Sequence, residues 1–109
     1  MHIKDLLDKG RIGDYVMILK KREYYYGVIE SYDLFEEEIV FNLKNTKRLN
    51  GENWEVCNTY QIILPFSCKP ERINFFDVLQ IKNCKDIIYI YPKELKSMNP
   101  VFMGQQQNR

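Results

Sequence analysis

One histidine, three cysteines and fifteen carboxylates are the side chains of this sequence that could do chemistry, and their spacing gives them little to work with. Acid–base catalysis and nucleophile activation both need a base held within hydrogen-bond reach of its partner. The single imidazole, His2, stands next to the N-terminus. Cys57, Cys68 and Cys84 lie eleven and sixteen residues apart, so there is no CxxC pair to hold zinc or exchange disulfides. They read as small buried or half-buried hydrophobes. Gly10 and Gly13 lack the glycine, lysine and hydroxyl residue of a phosphate loop. The acidic residues cluster in turns, as in Glu36-Glu37-Glu38, without a convincing catalytic pair. Neither an enzyme nor a metal or cofactor is expected.

Binding is the remaining kind of function. The chain has 109 residues, enough for one domain, and its 45% hydrophobic and 28% charged residues suit a soluble globular fold. Sixteen basic and fifteen acidic side chains leave a net charge of +1, which argues against a protein that lives on phosphate contacts. Lys20-Lys21-Arg22 and the group Lys44, Lys47 and Arg48 accordingly read as polar turns. No apolar run is long enough to span a bilayer, and MHIKDLLDKG lacks the apolar core of a secretory signal. A reducing compartment, cytoplasmic or nuclear, is expected. Eight Tyr, six Phe and one Trp fall mostly in segments that read as strands.

His2 to Lys9 places Ile3, Leu6 and Leu7 on one helical face, so one or two turns of helix are predicted. Strands are predicted at 14–20 (DYVMILK), 24–32 (YYYGVIESY), 38–44 (EIVFNLK), 75–82 (FFDVLQIK) and 86–91 (DIIYIY). Gly27 inside the second strand marks a bulge or sharp bend. Residues 45–58 read as a long polar loop from which Trp54 packs back onto the core. Residues 59–66 could add a strand, which Pro65 stops or confines to an edge. Residues 1–95 form one domain in this reading, and 96–109 a loose tail. The fold class expected is all-β: a small, strongly bent, five-stranded antiparallel barrel with a short N-terminal helix.

Gly27 is followed six residues later by Asp33 and then by Ile39-Val40-Phe41, a pattern that resembles the first motif of the Sm/LSm superfamily. IKNCKDIIYI, with Asp86 and Ile87, is similar to the second. Within the superfamily the chain looks most like the divergent LSm domain of the Trailer Hitch/Scd family of decapping and translation regulators. Arg11-Ile12-Gly13-Asp14, Tyr24-Tyr25-Tyr26-Gly27-Val28, Lys69-Pro70-Glu71-Arg72 and the run from Phe76 to Ile87 carry that likeness. Lys82-Asn83 replaces the family's Arg-Gly, with one residue inserted, and the region from Tyr60 to Phe66 has no clear counterpart. The family's Phe-Asp-Phe box and Arg-Gly-rich tail do not follow Pro100.

The resemblance implies a monomeric adaptor that docks short helical segments of decapping or translational-repression partners, in cytoplasmic P-body granules. Strand alternation lets only one of each neighbouring aromatic pair face inward. One of Tyr24 and Tyr25, and one of Phe75 and Phe76, is therefore a candidate for peptide binding. The alternative implied by the superfamily is an RNA-binding ring subunit. Its uridine pocket would map onto Phe35, Lys82 and Asn83, but Glu37 stands at the asparagine position and offers only acceptors to a uracil edge. A further alternative is an unrelated SH3-like interaction module.

Overall fold

A computed structural model describes residues 2–57, 60–73 and 77–95. The N-terminal segment is a 3-10 helix, Ile3–Lys9. His2 caps it: the ring accepts the Lys4 N–H at 3.0 Å, and Asp5 accepts the His2 N–H at 2.8 Å. Amides that a helix start leaves unpaired are thereby satisfied. Ile3 and Leu6 are fully buried in the main core, as their spacing predicts.

Eight antiparallel strands follow: β1 (Tyr15–Lys20), β2 (Glu23–Leu34), β3 (Glu38–Asn50), β4 (Asn53–Val56), β5 (Tyr60–Pro65), β6 (Glu71–Arg72), β7 (Leu79–Asn83) and β8 (Asp86–Tyr91). They form one sheet in the order β4-β3-β2-β1-β8-β7-β6, with β5 also paired to β3. The all-β expectation holds. Inward residues of β1, β2, β3, β5, β7 and β8, among them Val16, Ile29, Phe41, Leu64, Ile81 and Ile90, make a single core with the helix.

Three sequence expectations need correction. The region after Lys44 is not a loop. β3 runs on to Asn50, turns at Gly51 and returns as β4, with Lys47 to Asn50 paired to Asn53 to Val56. Trp54 therefore stands on an outer hairpin arm, 42% exposed, and not in the core. Asp33, left between the second and third predicted strands, lies instead within β2 opposite Val40 and accepts the Asn42 amide at 3.1 Å. Finally, the sheet is open and has eight strands, where a closed barrel of five was expected. Closure would require β7 to pair with β5. Instead β6 takes the free edge of β7 at Leu79 and Gln80, and the Asn83 side chain reaches across, donating to Ile63 O at 3.1 Å.

The corner sits where the sequence places it. Tyr26 pairs with Lys47 and Val28 with Lys44, so Gly27 alone faces both Asn45 and Thr46. This is a β-bulge, which bends and twists the ladder locally. Asn45 adopts a positive φ of 53° to make it. Gly27 is buried, and a Cβ there would lie 3.1 Å from Thr46 Oγ1 and 3.2 Å from Leu43 Cδ1. Before the corner β3 pairs with β5, and beyond it with β4. The Thr46 hydroxyl is buried at the corner, with no hydrogen-bond partner among the described residues.

Two substitutions at this corner should shift stability in opposite directions. Gly27→Val forces Thr46 and Leu43 aside and should cost about 1–3 kcal/mol. Thr46→Val removes an unsatisfied buried hydroxyl and should add about 1 kcal/mol. Denaturant unfolding of both variants beside the parent chain measures each change.

Candidate functional site

Directly paired residues of an antiparallel ladder stand on the same face of the sheet. Following the pairs outward from β1 gives three rows on the face opposite the core. The first is Trp54, Leu49, Tyr24, Leu19, Ile87 and Lys82. The second is Val56, Lys47, Tyr26, Met17, Tyr89, Gln80 and Glu71. The third is Lys44, Val28, Tyr15 and Tyr91. A sheet with one solvated face normally alternates apolar inward and polar outward. Here the outward positions of β1 and β8 carry no charge at all, and their side chains are half-buried by one another.

Rings knit this face together. Tyr15 stacks on Tyr26 with centroids 6.2 Å apart, Tyr26 meets Trp54 at 6.3 Å, and Tyr89 stacks on Tyr91 at 6.4 Å. Burial, with the neighbouring Tyr15 hydroxyl, pushes the Tyr26 phenol up to about 12. At the corner, where the β3–β4 arm bends, the rows end in a hollow of about 520 Å³. Tyr15, Tyr26, Val28, Asn45, Thr46, Lys47 and Val56 line it. Val56 is 83% exposed at its rim.

The residues singled out from the sequence are scattered relative to this face. Gly27 forms the corner. Of the tyrosine pair, Tyr24 is outward and 39% exposed, while Tyr25 packs against the core with its ring 4.8 Å from Tyr60. Alternation predicted one of each kind. Phe75 and Phe76 lie outside the described residues. Phe35 is 53% exposed in the β2–β3 turn, Lys82 ends the first row, and the Asn83 amide is engaged on Ile63. Among the described residues no hydrogen bond or ring contact joins Phe35 to Lys82 or Asn83. Asp86 and Ile87 open β8, where Asp86 lies 3.8 Å from Lys20. Lys20 also donates to the Tyr60 hydroxyl at 3.2 Å, the main cause of its raised pKa. This polar cluster spans the gap that the open sheet leaves.

Sequence reasoning overlooked Tyr15, Met17, Tyr26, Tyr89, Tyr91 and Val56. The signal was present in DYVMILK and DIIYIY, which are apolar almost without interruption. Such runs belong to strands whose two faces are both covered. Among the described residues no group of three His, Cys, Asp or Glu could hold a metal, and no helix is long and apolar enough to cross a membrane. Comparison with protein families, with curated proteins and with solved structures finds no match to this chain.

The Tyr26 environment has a measurable consequence. The folded chain keeps a proton that the unfolded chain releases near 10.0. Stability linked to Tyr26 is therefore intact below pH 10 and lost as pH rises towards 12. In an alkaline absorbance titration, Tyr26→Phe should remove a tyrosinate transition near pH 12 and flatten that decline in stability.

Proposed function

We propose that this chain is a non-catalytic, LSm-like interaction domain that takes a short apolar segment of a partner protein on the outer face of its sheet. The observation that carries this reading is the set of outward rows just described. They combine tyrosine, tryptophan and aliphatic side chains with an open hollow at one end. Contiguous apolar patches on a protein surface mark interaction sites, and aromatic anchors in a concavity supply most of the energy of peptide recognition.

The finer assignment, to a monomeric cytoplasmic adaptor of messenger-RNA decapping or translational repression, rests on the Sm-like motifs around Gly27 and Asp86. The bulge at Gly27 is consistent with the first of these motifs. The open, eight-stranded sheet and the β3–β4 arm are features the resemblance does not account for. A ring-type uridine site is not favoured. Glu37 stands where an amide is needed, and the Asn83 amide is committed to Ile63.

Selection of a random peptide library displayed on phage, with the full chain as bait, tests the reading. Peptides should be enriched on the parent chain and lost on Val56→Asp, which puts a charge at the rim of the hollow. Sedimentation should give a monomer. A hexamer or heptamer that binds oligouridine, and loses it in Phe35→Ala, would replace this reading with the ring subunit.

A further inference from the structure

The charges around the hollow go further and specify the chemistry of the segment. Lys47 occupies the second row between Val56 and Tyr26, and Lys44 ends the third row beside Val28. Both are exposed, and among the described residues neither forms an ion pair. Their neighbour Arg48 behaves differently: it bonds Glu55 at 2.9 Å and lies 3.8 Å from Glu23. The one carboxylate in the three rows, Glu71, stands at the opposite end of its row, with four strands between it and Lys47. The rows that end at the hollow therefore carry two lysines and no carboxylate there; the exposed Glu30 follows two residues beyond Val28 on β2, away from Lys47 and Val56.

We propose that the segment bound here is acidic as well as apolar: aromatic or aliphatic anchors enter the hollow against Tyr26, Val28 and Val56, and flanking Asp or Glu side chains meet Lys44 and Lys47. This rests on the reading of the face as a peptide site and names its ligand class. A protein segment fits better than a single-stranded nucleic acid. The rows hold as many aliphatic side chains, among them Leu19, Leu49, Met17, Val28 and Val56, as aromatic ones, and aliphatic side chains provide no stacking platform for bases. Rim charges of this kind act on specificity and association rate, and salt screens them.

The test uses the full chain and two synthetic peptides with the same apolar residues, one carrying Asp and Glu between them and the other Lys and Arg. The acidic peptide should bind and the basic one should not. Lys44→Glu and Lys47→Glu should each weaken binding roughly threefold to tenfold, and added salt should reduce the difference. Lys69→Glu, at an exposed lysine between β5 and β6 and away from the hollow, should leave affinity unchanged. Unchanged denaturation midpoints exclude loss of fold as the cause.

Equal binding of both peptides, lost in Val56→Asp but indifferent to the lysine reversals, overturns the acidic assignment and leaves the peptide site standing. An equal effect of Lys69→Glu also overturns it. Failure of every peptide to bind in a Val56-dependent way sinks the peptide site itself. Two further outcomes reassign the face and overturn the proposal: tighter binding of oligothymidine than of the acidic peptide, or a dimer abolished by Val56→Asp.

Discussion

The two longest strands serve both halves of the sheet because they turn a corner together at Gly27, Asn45 and Thr46. Two residues of β3 face one of β2, and that one has no side chain. Were the ladder straight, the first half of β3 could not curl over the core towards β5 while its second half extends outward to β4. The corner therefore decides two things at once. It wraps the inner face around Phe41 and its neighbours, and it lifts the β3–β4 arm to leave a hollow beside Tyr15 and Tyr26.

The outer face is the more informative of the two. Inner residues are buried because the fold needs a core, whereas tyrosines and aliphatics on the other face stabilise nothing of comparable size. The ring contacts there involve partly exposed side chains. Apolar area of this kind is worth about 25 cal/mol per Å² when it leaves water, and in the chain described here much of it has not done so. A partner that covers it gains what folding left unused. The polar cluster of Lys20, Tyr60, Asp86 and Asn83 is its counterpart on the open edges. There side chains stand in for the missing ladder between β5 and β7.

Much of the fold was legible in the sequence. The helix with Ile3 and Leu6 inward, the first two strands and the last, and the bend at Gly27 all follow from local pattern, because each is decided by nearest neighbours. The length of β3 was not legible. KNTKRLN is polar and looks like a loop, yet Lys47 to Leu49 are paired to β2 on one side and β4 on the other, and apart from the buried Thr46 its polar side chains are exposed or half-exposed, Arg48 bonding Glu55 of β4. Openness was not legible either, because it depends on β6, a two-residue strand that carries no periodicity. For the site, alternation narrowed the outward tyrosine to Tyr24 or Tyr25 without choosing between them. Tyr15, Tyr26 and Val56 were missed because their convergence depends on a register set by the bulge, which no single segment encodes.

Amide chemical shifts of the full chain, followed while a library-selected peptide is added, locate the bound segment residue by residue. Shifts should be confined to Tyr15, Tyr26, Val28, Lys47 and Val56 and to their partners along the outward rows. Shifts centred instead on Phe35, Lys82 and Asn83, with the outer rows unmoved, would contradict that placement.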